Sequence, residues 1–393
     1  MNDTGTPTFR TQLRHILFLT AIFFLNFLAR IILAPLMPAV EEDLGVGHGE
    51  AGSLFLLISV GYFVTLTSSG FFSSRLMHRR TIALAAAAVG VSLVGISFSN
   101  SIWAVRLAFL MLGMAAGLYL PSAIATLTTL VGAPHWGKAM AVHELAPNLG
   151  FVAAPLVCEA LLLWFSWRGI FAFLGVSSIL LGIAFVRFGS GGRFAGEAPG
   201  LASSRSLFVQ PSFWIMMALF SLGITGTLGV YTMLPLYLVA ERSINRNWAN
   251  TLIAFSRLPA LGMTFFSGWV TDRWGPTRAL RGVFLLTGLV TLLLGMLPDS
   301  WIVIMVFLQP LIAACFFPPG FAALSSIGPP SARNVAVSLT VPVSFIIGGG
   351  VVPTLIGVMG DMGSFGLGIA MVGGLILTGF LISLYLKFPN EVL

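Results

Sequence analysis

Two arginines lie inside long apolar runs of this chain, where a charged side chain is costly. Arg30 follows Asn26 by one helical turn, and Arg257 lies in the run Ala-Phe-Ser-Arg-Leu-Pro. An ionised side chain at the middle of a bilayer costs at least about 2.5–3.5 kcal/mol, so each arginine needs a compensating role. A guanidinium group presents a planar fork of donors that suits a carboxylate, phosphate or sulfonate. The two residues therefore predict a site for a small anion; the alternative is that each reaches a helix end or a carbonyl group.

His143 and Glu144 form a second chemically active pair, a few residues into another apolar run. Histidine changes its charge in the physiological pH range, and burial favours the protonated form of a carboxyl group. The pair predicts either a proton site or, through Glu144, an ion pair that closes one side of the protein. Both interpretations stay open from the sequence.

Larger uncharged polar side chains in apolar runs also need partners, and they complete the predicted substrate site. These residues are Asn26, Tyr119, Tyr231, Gln309 and Asn148. The chain shows no nucleophile–base–acid set, no metal-ligand spacing and no phosphate-binding Gly-rich loop that ends in Lys-Ser/Thr. We therefore expect no enzymatic activity, no cofactor and no metal.

The composition places these residues in a membrane protein. Hydrophobic residues make up 57% of the 393 residues and charged residues only 8%. A soluble core of this size does not need so much apolar surface, so lipid is the expected solvent. The net charge of +7 does not indicate nucleic-acid binding, because the basic residues fall in short loops between apolar runs.

Twelve apolar windows are each long enough to cross a bilayer, which takes roughly 20 residues. They lie at about 15–38, 50–72, 81–99, 102–124, 139–161, 168–187, 213–238, 248–270, 279–297, 301–324, 334–358 and 364–387. The stretch 188–210 is rich in Gly, Ser, Arg and Ala and predicts a linker. We expect an all-α integral membrane protein with one bundle of six helices over 1–187 and a second over 211–393.

The distribution of charge predicts the orientation. Basic residues gather in the loops that follow the second and eighth windows, whereas Glu41, Glu42, Asp43 and Glu50 lie together after the first. Because positive loops stay in the cytoplasm, we expect both termini and the linker on that side.

A short motif occurs twice, about half the chain apart. The second copy contains Gly268, Asp272, Arg273, Gly275 and Arg278. In the first copy Gly70 and Arg75 match, but Ser74 replaces the acid and Met77 the second glycine. Pro38 and Pro235 are separated by nearly the same offset, which predicts a duplicated six-helix unit.

Twelve helices, a basic linker and this paired motif resemble the major facilitator superfamily over essentially the whole chain. The resemblance implies two pseudo-symmetric bundles that rock about a central site, which is secondary transport. It also implies that helices 1, 4, 7 and 10 line the cavity and that 2, 5, 8 and 11 flank it, so that Arg30 and Arg257 would approach it from opposite halves. The motif around Asp272 and Arg273 would then be a cytoplasmic gate with Glu144 as its partner.

The first helix has a further resemblance. Asn26-Phe27-Leu-Ala-Arg30 is similar to helix 1 of the anion:cation symporter branch, although Ala29 stands in the place of that pattern's acid. We therefore expect a monomeric transporter of a small organic anion such as a carboxylate, coupled to protons, in a bacterial inner membrane. The alternatives are a proton-driven efflux antiporter for lipophilic compounds and a membrane sensor without transport.

Overall fold

Twelve long helices run through the part of the chain that the structure describes. The computed structural model describes residues 9–132, 135–196, 207–327 and 333–386. The helices are α1 (Gln12–Leu44), α2 (His48–Leu76), α3 (His78–Phe98), α4 (Ile102–Leu130), α5 (Trp136–Leu162), α6 (Trp167–Phe188), α7 (Pro211–Glu241), α8 (Arg246–Trp274), α9 (Pro276–Met296), α10 (Asp299–Leu324), α11 (Val335–Asp361) and α12 (Phe365–Ser383). All except α8 are long and apolar enough to cross a membrane. The predicted all-α membrane fold is confirmed.

The helix ends follow local rules. Ser101, Ser166 and Ser364 cap α4, α6 and α12, because each side chain accepts from a backbone N–H of the first turn. Pro211 and Pro276 open α7 and α9, where a missing N–H costs nothing. Several helices extend beyond their predicted windows, α1 by the residues after 38, since a membrane window sets a minimum length and not an end.

Contacts divide the chain into two compact units. The first contains Met1–Ile32 and Val60–Pro199, and the second contains Leu33–Ser59 and Gly200–Leu393. The end of α1 and the start of α2 thus pack with the C-terminal half. The division at the linker 188–210 stays a prediction, and residues 197–206 of that linker lie outside the described ranges.

In the first unit, α3 and α6 pack closely through small residues. A Cβ atom on Gly90 would lie 2.5 Å from the carbonyl oxygen of Gly175, and the Ser178 hydroxyl donates to the carbonyl of Ala86 at 2.8 Å. Small residues allow helices in lipid to approach this closely. α1 packs against α5, which places Arg30, His143 and Glu144 within one unit.

The segment after α6 is docked on the loop between α2 and α3. The backbone N–H of Arg79 donates to Gly192 at 2.8 Å, and its guanidinium donates to the carbonyls of Gly189 at 2.6 Å and Val186 at 2.9 Å. Arg79 therefore satisfies the last carbonyls of α6, which an isolated helix leaves without partners.

The second unit repeats the pairing of outer helices, here between α9 and α12. Its inner helices α7 and α11 contain π-helical turns at Thr225–Gly229, Tyr237–Glu241 and Ile347–Val351. The turns at 225–229 and 347–351 face each other: a Cβ atom on Gly229 would lie 2.5 Å from the carbonyl oxygen of Gly348. π-turns occur often at functional sites, and the turn at 225–229 is next to Arg257.

Candidate transport site

Arg30 is buried in the first unit and lies against aromatic rings. Its side chain is on α1 with 7% of the residue exposed, and its guanidinium carbon is 4.5 Å from the centre of the Tyr62 ring and 5.1 Å from that of Phe27. The guanidinium also donates a hydrogen bond to the Tyr62 hydroxyl oxygen. The negative face of an aromatic ring stabilises a cation where water is scarce. Tyr62 is outside the predicted set, because no sequence spacing relates a residue on α2 to one on α1.

Asn26 lies one turn before Arg30 and holds two helices together. Its amide nitrogen donates to the carbonyl of Ala116 on α4 at 3.2 Å, and the residue is 4% exposed. The bond to Ala116 gives this buried amide the partner outside its own helix that a polar side chain needs in lipid. Its amide oxygen has the capacity to accept from a ligand.

His143, Tyr119 and Glu144 form one hydrogen-bonded row in the same unit. His143 is fully buried, its Nε2 atom is 3.1 Å from the Tyr119 hydroxyl, and its Nδ1 atom is 3.3 Å from Oε1 of Glu144. Arg30 and Tyr62 lie in the same unit as this row.

Arg257 is the counterpart of Arg30 in the second unit. It lies in α8 with 6% of its surface exposed, and its guanidinium carbon is 4.7 Å from the centre of the Tyr231 ring. Nη2 donates to the carbonyl of Thr227 at 3.1 Å. Thr227 belongs to the π-turn of α7, and Tyr231 is on that helix as well. The arginine of α8 is therefore held by a backbone carbonyl and an aromatic ring of α7. The carbonyl contact expected as the alternative to anion binding is present, and it uses one of the five donors of the guanidinium.

Two other predicted residues are engaged by their own unit. The amide nitrogen of Gln309 donates to the carbonyl of Gly226 at 2.7 Å and to the Thr291 hydroxyl at 3.3 Å. Asn148 donates to the carbonyl of Glu144, one turn earlier on α5, at 2.8 Å. Both amides stabilise local backbone, and their contact with substrate stays a prediction.

The repeated motif forms the turn between α8 and α9. Gly275 ends α8 with φ 83°, and its N–H donates to the carbonyl of Thr271. Asp272 and Arg273 are exposed, and the Arg273 guanidinium lies 5.6 Å from the centre of the Trp269 ring. The predicted gate between Arg273 and Glu144 would join residues of different units, so it stays a prediction.

The first copy keeps the same turn without the glycine. Met77 occupies the position of Gly275 with φ 66° and ψ 153°, and its N–H donates to Ser73 at 3.0 Å. This conformation is nearly restricted to glycine, so the loop holds a strained residue. Gly70 lies in α2 before this turn, and Arg75 is exposed next to it.

A cluster that sequence reasoning misses lies at one end of the second unit. The carboxylate of Asp361, at the end of α11, accepts from the backbone N–H groups of His48 at 2.7 Å and Gly49 at 2.9 Å. An acid at a helix N-terminus is stabilised by its free N–H groups and dipole. Nδ1 of His48 is also 2.9 Å from Oε2 of Glu41. The acidic residues are visible in the sequence, but their partners are too far along the chain to be inferred.

Comparison with known proteins identifies the family. The model of the Major Facilitator Superfamily matches residues 19–298, so the chain belongs to that family of membrane transporters, which are not enzymes. Among solved structures, the inward-facing, unoccupied bacterial homolog of the human lysosomal transporter Spinster has a TM-score of 0.80 at 15% identity and covers 97% of this chain and 95% of its own. The D-xylose-proton symporter has a TM-score of 0.78 at 15% identity, covering 96% and 98%.

Two curated relatives are similar in sequence. The probable L-galactonate transporter of Escherichia coli (strain K12) is 23% identical over 289 residues, which are 69% of this chain and 63% of that protein. The membrane sensor protein UhpC of Salmonella typhimurium is 24% identical over 316 residues, which are 72% of this chain and 69% of the relative. The first match thus spans less than two thirds of that relative's length.

Proposed function

We propose that this chain transports a small organic anion together with a proton, and that Arg30 and Arg257 bind the anionic group. The observation that carries the proposal is a buried guanidinium inside each unit, held against a tyrosine ring: Arg30 on Tyr62 and Arg257 on Tyr231. The same arrangement in both halves of a duplicated chain favours a shared role.

Two buried cations are costly in lipid, and binding of an anion offsets part of this cost. Contact with a ring restricts each guanidinium to one orientation, so less conformational entropy is lost when a ligand binds. A planar carboxylate matches such a fork better than it matches a lysine.

Similarity to a probable L-galactonate transporter supports a sugar acid as the substrate class, and L-galactonate is the natural first probe. Efflux of cationic compounds is the weaker candidate. It would favour an acid near the middle of helix 1, 2, 4 or 7, and the sequence has none there.

A sensory role is the second candidate, since UhpC is described as a membrane sensor. The same buried arginines would then bind an anion without net transport. Binding and transport must therefore be measured separately.

The test is ligand binding to the purified full-length protein, followed by uptake into proteoliposomes. We expect L-galactonate to raise the thermal midpoint, and Arg30→Ala and Arg257→Ala each to weaken its binding by about ten- to a hundredfold, since a charged hydrogen bond contributes about 1.5–3 kcal/mol. Arg106→Ala is the matched control: Arg106 is near the start of α4, beside Trp103.

Unchanged binding in both variants would exclude the site, and binding of cationic dyes alone would exclude an anionic substrate. Binding without uptake by any anion would favour the sensor.

We further propose that the protein is a monomer in the bacterial inner membrane with both termini in the cytoplasm, because basic residues gather in the loops on that side. Fluorescent tags at each terminus test the orientation. Absence of fluorescence at either end from a reporter that folds only in the cytoplasm would contradict it.

A further inference from the structure

The ring of His143 is held rigidly in the interior of the first unit. It is stacked on Phe23 from α1, with ring centres 4.6 Å apart and planes 12° from parallel. The Tyr119 ring of α4 lies nearly parallel to it as well, at 9°. Stacking on Phe23 fixes the plane of this fully buried imidazole. The positions of its two nitrogens within that plane are assigned from their hydrogen-bond partners.

The hydrogen bonds of Tyr119 determine which nitrogen of His143 carries a proton. The Tyr119 hydroxyl lies 2.6 Å from the carbonyl oxygen of Leu19, which can only accept, so its single proton points there. The hydroxyl oxygen can then only accept from the Nε2 atom of His143, 3.1 Å away. The hydrogen-bond network thus assigns Nε2 as protonated.

The remaining nitrogen faces a carboxyl group. With Nε2 protonated, neutral His143 presents a lone pair at Nδ1, and Oε1 of Glu144 lies 3.3 Å from it. A lone pair and a carboxylate oxygen repel each other at this distance. The contact requires one proton between the two atoms, either on Nδ1 or on Glu144. We propose that His143 and Glu144 together bind one exchangeable proton, and that this proton is the one coupled to substrate.

Glu144 is the partner that can move when the proton leaves. Its side chain is 48% exposed, whereas that of His143 is 0% exposed. Without the proton, the carboxylate gains hydration by turning away from Nδ1, and the buried ring stays in place. Arrival and departure of one proton therefore change the position of one side chain on α5.

Charge links this proton to the anion site. The pair is neutral overall with one proton and carries one negative charge without it. The pair and Arg30 lie in the same unit, on the packed helices α5 and α1, so the extra negative charge opposes an anion bound at Arg30. By reciprocity, an anion at Arg30 favours protonation of the pair. Proton and anion are then taken up together, which is symport.

The other ionisable groups of the helices packed around α5 lie mostly near helix ends. Tyr119 faces the pair from α4. The remaining described ionisable residues of α1, α5 and α6 are Arg14, His15, Arg30, Glu41, Glu42, Asp43, Lys138, Cys158, Glu159, Arg168 and Arg187. Glu159 is on α5 itself and provides a matched control.

The first experiment observes the proton directly and needs no substrate. Full-length protein with ¹⁵N-labelled histidine is placed in lipid nanodiscs and followed by NMR over a range of pH. The chain has five histidines, so His143→Gln assigns the signal by its loss. We expect Nε2 to stay protonated and the Nδ1 signal to change with pH. In Glu144→Gln this response is altered, because the amide donates to neutral Nδ1, whereas Glu159→Gln behaves as the wild type.

Two results would overturn the proposal: a His143 that carries its proton on Nδ1 with Nε2 bare, or an identical pH response in Glu144→Gln. Thermal unfolding of each variant confirms that the fold is retained. Because no transport is measured, this outcome is independent of the proposed substrate.

The second experiment tests coupling, which rests on the proposed function. Proteoliposomes are assayed for L-galactonate accumulation driven by a pH gradient and for exchange at equal pH. Glu144→Gln is expected to lose gradient-driven accumulation and retain exchange, and Glu159→Gln to retain both. Accumulation by Glu144→Gln would contradict the coupling role. If the wild type moves no anion, the proposed function fails while the NMR result still decides whether the pair shares a proton.

Discussion

Replacing Met77 by glycine is expected to stabilise the protein. Met77 adopts φ 66° and ψ 153° at the turn between α2 and α3, a conformation that Gly275 adopts at the equivalent turn with φ 83° and ψ 155°. The strain arises from the Cβ atom, so only glycine relieves it. Met77→Gly tests whether a strained residue in the first copy of the motif reduces stability.

The magnitude follows from two opposing terms. A non-glycine residue in this region costs about 1–3 kcal/mol. Glycine loses about 0.5–1 kcal/mol more than alanine through backbone entropy on folding. Loss of the methionine side chain costs little, because the residue is 44% exposed. The net stabilisation expected from Met77→Gly is about 0.5–2 kcal/mol.

Equilibrium unfolding of the purified protein in mixed micelles with increasing SDS, followed by tryptophan fluorescence, measures this difference. Met77→Ala is the matched control, since it removes the same side chain but keeps the Cβ atom. The reciprocal variant Gly275→Met should lose about 0.5–2 kcal/mol. Stabilisation by Met77→Ala equal to that by Met77→Gly would refute the strain argument, and so would a loss of stability in Met77→Gly.

Other regions give three further predictions. Gly229→Ala should lower the midpoint of unfolding, because the added Cβ atom would lie 2.5 Å from the carbonyl oxygen of Gly348. Gly374→Ala should leave the midpoint unchanged, because a Cβ atom there has no other atom within 4 Å. Arg79→Ala should speed tryptic cleavage of the segment after α6, because it removes charged hydrogen bonds each contributing about 1.5–3 kcal/mol; cleavage no faster than in Arg80→Ala would contradict this. Asp361→Asn should speed hydrogen exchange at the backbone amides of His48 and Gly49, as measured by mass spectrometry. Asp299→Asn is the control, and equal exchange rates in the two variants would rule out the capping role of Asp361.

The membrane fold was predictable because lipid restricts the possible structures so strongly. A chain in a bilayer must satisfy its backbone internally, so apolar windows of sufficient length become helices. α8 shows where this rule weakens: the pattern around Arg257 is less apolar, yet duplication of the unit requires a helix there. The family followed from the motif at Gly268 and Gly275, and comparison with known proteins confirmed it.

The site was predictable in its residue types but not in its contacts. The cost of burying Arg30 and Arg257 identified both from the sequence. Their tyrosine partners depend on which face of a neighbouring helix is turned toward them, and helical periodicity is too weak to show this when every face is apolar. The sequence marks Tyr231 as a large polar side chain that needs a partner in lipid, and it gives no reason to place Tyr62 beside Arg30.

Contacts between residues that are distant in the sequence could not be predicted for a different reason. His48 and Asp361 are 313 residues apart, and either residue alone resembles an ordinary loop residue. The π-turns of α7 and α11 could not be predicted either, because glycine and proline in a membrane helix permit a π-turn without requiring one. Such features depend on the packing partner, which a single sequence does not contain.

The close approach of Gly229 to the backbone at Gly348 has a consequence for how the gene can vary. Glycine is specified by two fixed bases, and every substitution at either of them encodes a residue with a Cβ atom or a stop. At these two positions, random mutation can therefore be silent only at the third base. A saturation library selected for function should keep glycine at both positions while it accepts many residues at Gly374, where a Cβ atom meets open space.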